Sequence, residues 1–164
     1  MSYDDIEIQR LLEALEIPYK WIEHDAVYTI EDMMNLSSIL KTETIPKNLF
    51  LKNSKKSHFY LVVLRGDRRL DLKVLKTILG ETQLSFASEG SLMELLHLKK
   101  GAVTPLGVLN DLENRVQVIF DREVMTFESI GVHPCRNTAT LELKTVDLMS
   151  LLNHVKHAPK IIDF

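Results

Sequence analysis

The sequence predicts an α/β fold of the α+β type: a single domain, residues 1–164, whose mixed and largely antiparallel sheet is flanked by helices. Three observations carry this. Short apolar runs alternate with turn residues, and two of them, residues 47–52 and 58–65, are separated only by the polar stretch 53–57, which reads as a hairpin. Segments of helical spacing lie between the runs without the regular strand–helix–strand alternation of a doubly wound nucleotide fold. The 164 residues are 45% apolar and 26% charged, close to ordinary globular usage and enough to bury a core.

Each element follows from local signals. In residues 4–16, Ile6, Ile8, Leu11, Leu12 and Leu15 recur at helical spacing and stop before Pro18. Residues 19–23 alternate as a short strand. Thr29, followed by Glu31 and Asp32, marks a helix start whose first-turn carboxylates complement the helix dipole, with the helix running to about Leu40. After the hairpin, residues 70–79 are helical and end at Gly80, a natural C-cap. Residues 84–87 form a short strand. Residues 91–98 form a helix with Ser91 as N-cap and Glu94 completing a capping box. A loop punctuated by Gly101, Pro105 and Gly107 leads into Val108 and Leu109. Then come a turn (110–114), an apolar strand (116–121) continued by 123–125, a strand end at 130–134, a strand at 138–143, and a final helix (146–155) capped by Thr145.

Composition narrows the function classes. The longest apolar run, residues 59–64, is far short of the roughly 20 residues that cross a bilayer. The acidic start MSYDDIEIQR has no apolar core of a secretory signal. One cysteine, Cys135, excludes an internal disulfide framework and a cysteine-rich zinc site. A soluble cytoplasmic protein is expected, with no cofactor, no metal and no membrane partner. The net charge of −3 conceals a segregation: residues 1–46 carry 3 basic and 10 acidic side chains, residues 47–76 carry 9 and 2, and residues 77–164 carry 8 and 11. The basic block is either a solvated face or a local phosphate-binding surface. So acidic a chain would read one local nucleic-acid feature and would not coat DNA.

The glycine-rich phosphate loops, the serine-hydrolase elbow and the zinc-protease helix motif are all absent. His154 and His157 are three apart, a conceivable metal pair in the C-terminal tail. His133 and Cys135 are two apart and can share one side of an extended segment, so a Cys–His nucleophile stands against an ordinary buried cysteine. Lys47, followed by Asn48, opens an apolar strand, where an ammonium either faces solvent on an edge or meets an anion. Gly101, Ala102, Val103, Thr104 and Pro105 form either a tight turn or a loop whose amides are held facing one spot, as in an oxyanion site. His133 sits in a rigid loop before Pro134, followed by the polar cluster Arg136, Asn137 and Thr138.

Seven short motifs occur in register: KNLFLK from Lys47 to Lys52, YLVVL from Tyr60, Asp71-Leu-Lys73, Leu84 to Ser88, GAVTP from Gly101 to Pro105, Asn110-Asp111, and His133-Pro134 with Asn137, Thr138, Ala139 and Thr140. Upstream, Ile17-Pro18, His24 and Thr29 add to the set. Together the chain resembles the YbaK/prolyl-tRNA-synthetase-associated editing domains over about residues 5–152. Lys100 stands where that family is expected to carry proline, and Leu106 where an aromatic is common. The resemblance implies a hydrolase that deacylates mischarged tRNA(Pro), foremost Ala-tRNA(Pro), by attack of water on the aminoacyl ester, with the adjacent ribose hydroxyl assisting. Its implied partner is the acceptor end of tRNA(Pro) carrying a small amino acid, with a transient association with prolyl-tRNA synthetase. It implies catalytic roles for Lys47, His133 and residues Gly101, Ala102, Val103, Thr104 and Pro105. Substrate contacts would come from Asn48, Lys52, Asn137 and Thr138, and tRNA contacts from Arg65, Arg68, Arg69 and Lys73. Two rival readings are a Cys-tRNA(Pro) deacylase and a non-catalytic module that senses an amino acid or a charged tRNA.

Overall fold

The computed structural model describes residues 2–39 and 41–164. Helix α1 (Asp5–Ala14) starts at Asp4, whose carboxylate accepts from the Glu7 N–H, and buries Ile8 and Leu12. It leads through Pro18 into β1 (Tyr19–Glu23) and then α2 (Ile30–Met34), where Thr29 and Asp32 form a reciprocal capping box. Helix α2 ends six residues earlier than its sequence signal predicts: residues 35–39 continue as turns, and Leu40 lies outside the described residues.

The hairpin forms as expected from β2 (Lys47–Asn53) and β3 (Phe59–Leu64). Helix α3 (Leu72–Leu79) runs from an Asp71 cap to Gly80, which takes the left-handed conformation at φ +71°. After β4 (Leu84–Phe86) comes α4 (Glu89–Leu96), and here the cap is Ser88, not Ser91. The Ser88 hydroxyl accepts from the Ser91 N–H at 3.0 Å, so the serine expected to cap is instead inside the first turn. Residues 105–110 form a 3-10 turn that precedes β5 (Val116–Asp121).

The expected strand continuation at 123–125 is a 3-10 turn, Arg122–Thr126, because the Asp121 carboxylate accepts from the Glu123 N–H and bends the chain. Strands β6 (Ser129–Val132) and β7 (Ala139–Lys144) follow, then α5 (Thr145–His154). Thr145 is the first helical residue and not its cap; its hydroxyl donates to the Phe127 carbonyl. A short strand that the sequence does not signal, β8 (Lys160–Ile162), closes the chain.

The strands divide between two sheets. A three-stranded antiparallel sheet has the order β1-β7-β6, and a five-stranded mixed sheet has the order β4-β2-β3-β5-β8. Among the described residues only the β3–β5 and β5–β8 ladders are parallel. Side-chain alternation explains the layers. Phe59, Leu61 and Val63 of β3 face the larger core, shared with α1, α4, α5 and the small sheet, while Tyr60, Val62 and Leu64 face the smaller core under α3. All six are buried, which is why this run shows no polar alternation. The motif pair Asn110-Asp111 turns out to serve the fold. Asn110 bonds the Tyr3 N–H and C=O, and the Asp111 carboxylate accepts from the N–H groups of Arg115 and Val116 at the start of β5. No helix among the described residues is long and apolar enough to cross a membrane.

Candidate active site

A cleft of about 590 Å³ opens where β2 begins, bounded by α2, the loop at 101–103, β6 and the start of β7. Its volume suits a small ligand or one nucleoside with its substituent. Lys47 and Asn48 reach it from the start of β2, immediately after Pro46, whose ring fixes the entry of the strand. Gly101 and Val103 reach it from the loop, His133 from beyond β6, and Arg65 from the end of β3. Residues far apart in sequence thus meet in one place.

The loop has an alternating geometry. Gly101 is left-handed at φ +87°, and a Cβ there would lie 3.1 Å from Tyr28 Cδ1 and 3.3 Å from Cε1, so the ring of Tyr28 lies directly against its backbone. Gly101 and Val103 line the cleft, whereas Ala102, Thr104 and Pro105 are buried and do not. The Ala102 N–H donates to the Lys99 carbonyl at 3.1 Å, so it is not free to meet a ligand. Among the described residues the N–H groups of Gly101 and Val103 have no internal acceptor. The Thr104 hydroxyl accepts from the Leu106 N–H at 3.3 Å and its carbonyl from the Gly107 N–H, holding the far end rigid. Of the five loop residues, two line the cleft and three support them.

His133 donates Nδ1–H to the Ala139 carbonyl at 3.0 Å, which leaves Nε2 as the lone-pair nitrogen. Burial pushes its pKa down, and the neighbouring His24 adds to that, while the hydrogen bond to Ala139 opposes it. His24 lies beside it, ring centroids 6.4 Å apart. The Asn48 Oδ1 is buried and has no hydrogen-bond partner among the described residues. Such an atom is costly unless a ligand supplies a donor.

Other sequence candidates lie elsewhere. Lys52 is five residues along β2 from Lys47, about 17 Å at strand rise, and does not line the cleft. Asn137 and Thr138 are brackets, not cleft walls. Asn137 Nδ2 donates to the Val27 carbonyl, its own carbonyl accepts from Val27 N–H, and the Thr138 carbonyl accepts from His24 N–H. Together they pin the segment that carries Tyr28. The Thr138 hydroxyl accepts from Arg136, which also pairs with Asp5 and Glu23 and lies over the Trp21 ring.

The basic block does not act as one surface. Arg65 grips Asp67 through two bonds, and Arg68 pairs with the buried Asp121 at 2.9 Å. Arg69 and Lys73 are exposed. Cys135 packs against the larger core, and burial, with Asp5 and Asp4 nearby, pushes its thiol up to about 12, which leaves almost no thiolate to act as a nucleophile. His157 is buried and bonds the Asp111 carbonyl, so it does not pair with His154 at a metal. Lys100 is exposed, 4.0 Å from Glu89, and Leu106 is fully buried in the core. Neither departure from the expected family pattern lines the cleft.

His24, Tyr28 and Thr140 were quoted in sequence motifs or not at all, yet Tyr28 and Thr140 line the cleft and His24 bonds Thr140. A second cavity, about 420 Å³, lies beside the start of β3 and is lined by Arg115, Lys156 and His157, but by none of the residues expected to be catalytic, substrate-binding or tRNA-binding.

Residues 24–151, which contain every cleft-lining candidate, match the aminoacyl-tRNA editing domain. The chain belongs to the aminoacyl-tRNA editing domain family. It is 46% identical over 141 residues to the prolyl-tRNA editing protein ProX of Acetoanaerobium sticklandii, covering 86% of this chain and 85% of that one. It is 39% identical over 160 residues to the prolyl-tRNA synthetase associated domain-containing protein 1 of Danio rerio, covering 96% and 86%. The crystal structure of a proposed trans-editing enzyme for prolyl tRNA synthetase superposes with a TM-score of 0.75 at 20% identity, covering 99% of this chain and 97% of that one, a likeness of fold. Editing domains of this family therefore frame the chemistry of the cleft.

Proposed function

We propose that this editing domain acts in trans as a single-domain deacylase of mischarged tRNA(Pro), with Ala-tRNA(Pro) as its main substrate. The observation that carries the reading is the cleft, which Lys47, His133 and two loop residues without internal acceptors for their N–H groups, Gly101 and Val103, all line. The relatives' names, a prolyl-tRNA editing protein among them, support the choice of tRNA.

An aminoacyl ester is already activated, so an oriented water suffices as the nucleophile. Water attacks the ester carbonyl carbon, and the carbonyl oxygen gains negative charge. The N–H groups of Gly101 and Val103 receive that oxygen, and Lys47 stabilises the developing charge or holds the neighbouring phosphate. Collapse breaks the bond to the ribose oxygen, which takes up a proton and leaves as the free hydroxyl of the tRNA. The buried thiol of Cys135 has no part in this. Arg69 and Lys73 provide the exposed charge for the acceptor stem; Arg65 and Arg68 do so only beyond what Asp67 and Asp121 neutralise. The cytoplasm, where charged tRNA is used, is the fitting compartment, and a transient encounter with prolyl-tRNA synthetase would deliver the substrate.

A pocket built for proline rejects a smaller amino acid weakly, since a missing methylene is worth only about 1–3 kcal/mol, and a second sieve is the general remedy. The test is deacylation of Ala-, Cys- and Pro-tRNA(Pro) by the full chain. Fast release of alanine with proline spared supports the reading. Cysteine released faster than alanine would make it a Cys-tRNA(Pro) deacylase, and binding without hydrolysis would make it a sensing module.

A further inference from the structure

We propose that the cavity at the start of β3 and β5 is a second ligand site, one that takes a phosphate group between Arg115 and Lys156. The inference goes beyond the deacylase reading and does not depend on it.

The cavity exists because of a stagger in the larger sheet. Strand β3 pairs with β5 from Val116 onward, whereas β8 joins only at Ile119, opposite Lys160. Residues 116–118 therefore have a strand on one side only, and the chain leaving α5, residues 156–158, lines the notch on the other. The volume of about 420 Å³ holds a phosphate with an organic group attached. The site is remote from the cleft. Lys47 lies opposite Leu64 and Lys52 opposite Phe59, so about 17 Å of strand separates the two openings.

The walls are cationic in a stretch of chain that is not. Residues 77–164 carry 8 basic and 11 acidic side chains, yet among the described residues Arg115, Lys156, His58 and His157 line the cavity and no carboxylate does. The nearby acids are engaged. Glu94 accepts from Arg115 Nη1 at 3.3 Å, which leaves the other guanidinium donors without a partner among the described residues. The Arg115 Cζ lies 5.8 Å from the centre of the Phe59 ring, and the backbone N–H is held by Asp111, so the residue is fixed at both ends. The Glu81 carboxyl lies below its usual range, chiefly through the Tyr60 hydroxyl and then His58. It remains an acceptor, and His58 Nδ1, 2.9 Å away, carries the proton.

Lys156 has no ion-pair partner among the described residues. At φ +65° it is left-handed in the turn that ends α5, where the His157 N–H reaches back to the Leu152 carbonyl, a position that favours glycine. Asn114, also left-handed at φ +58°, donates Nδ2–H to the Lys156 carbonyl at 3.1 Å and ties together the two turns that flank the cavity. The floor of Phe59, Val116 and Val118 is apolar and buried, which strengthens the pull of both cations on an anion. An arginine fork beside a lysine point charge suits phosphate, which presents more acceptor oxygens than a carboxylate.

The test follows the backbone amides of the full chain by NMR during titration with inorganic phosphate, with ionic strength held constant by chloride. AMP and uncharged tRNA(Pro) are the second and third probes. Phosphate should shift the amides of residues 114–118 and 156–158 saturably, and Arg115→Gln and Lys156→Gly should each weaken it about tenfold or more. Glycine at 156 removes the ammonium and suits the left-handed turn, so weaker binding there is not a folding defect. Lys160→Gln, at an exposed lysine outside the cavity, should leave the affinity unchanged. AMP bound more tightly than phosphate, with the same losses in the variants, supports the site and makes its ligand a small phosphate ester. A salt slope of tRNA(Pro) binding that falls by about 0.7–0.9 in the double variant supports it and makes the ligand an RNA backbone phosphate. No saturable shift with phosphate or AMP together with an unchanged tRNA salt slope overturns the proposal. So do shifts confined to the cleft, or phosphate binding that survives both substitutions.

Discussion

Replacing Gly101 by alanine separates the two things this glycine does. The first is conformational. At φ +87° an alanine carries a left-handed penalty of about 1–2 kcal/mol. The second is steric: the new Cβ would lie 3.1 Å from Tyr28 Cδ1 and 3.5 Å from Asn137 Nδ2. Tyr28 is 72% exposed and can swing away, so the contact adds little to the stability cost but shifts the loop or the ring at the cleft edge. The melting temperature should fall by about 2–8 °C, taking about 2–4 °C per kcal/mol for a chain of this size. Gly80 offers a matched control, since it is also left-handed, at φ +71°, but has nothing within 4 Å of the position of a Cβ and caps the remote α3. Gly80→Ala should lose similar stability and keep full activity. Gly101→Ala should lose about 100- to 1,000-fold in single-turnover hydrolysis of Ala-tRNA(Pro), the cost of one oxyanion donor. A folded Gly101→Ala protein whose rate matches that of Gly80→Ala would refute the assignment of the loop amides to the oxyanion.

Three further outcomes are expected. Lys47→Ala should abolish turnover with little change in melting temperature, because Lys47 opens β2 half-exposed; a normal rate in the folded variant would remove this ammonium from the mechanism. Cys135→Ser should keep most of the activity, and thiol alkylating reagents should not inhibit, given a thiol held at about 12; loss of several orders of magnitude at unchanged stability would restore a cysteine nucleophile. The Glu23 carboxyl is held down to about 2 from its ordinary 4.5, chiefly by Arg136 and then by the Trp21 N–H. A depressed folded value stabilises above pH 4.5 and is lost as pH falls from there to about 2, so acid unfolding of Glu23→Gln should lack that part of the slope. Identical acid titrations of the two proteins would contradict the Arg136 clamp.

Much of the architecture is written in local signals. The helix start at Thr29, the C-cap at Gly80 and the hairpin around 53–57 are set within a few residues, and each forms where the pattern places it. The features that escaped are set by distant partners. Ser91 is the residue type of a cap, yet Ser88, three residues earlier, is the one that caps α4. Strand β8 has only three residues and exists because β5 offers it an edge. The split into two sheets depends on which strands pair across the core, which no local periodicity encodes. The cleft was legible through residue types that chemistry makes conspicuous: a lysine opening an apolar strand, a glycine–proline loop, a histidine beside a proline. Thr140 and His24 were not, because an inward threonine in a strand and a loop histidine are ordinary until a 2.8 Å bond joins them. Asn137 and Thr138 misled for the opposite reason: a polar cluster beside a site resembles a binding surface, yet its bonds hold the 24–28 segment in place.

The central claim is ester hydrolysis in the cleft, and the most direct measurement is the single-turnover rate of Ala-tRNA(Pro) deacylation by the full chain beside that of Pro-tRNA(Pro). The account predicts release of free alanine far faster than the spontaneous loss seen without protein, with prolyl-tRNA left intact on the same time scale. Alanine lost no faster than in buffer, or proline released at the same rate, would contradict it.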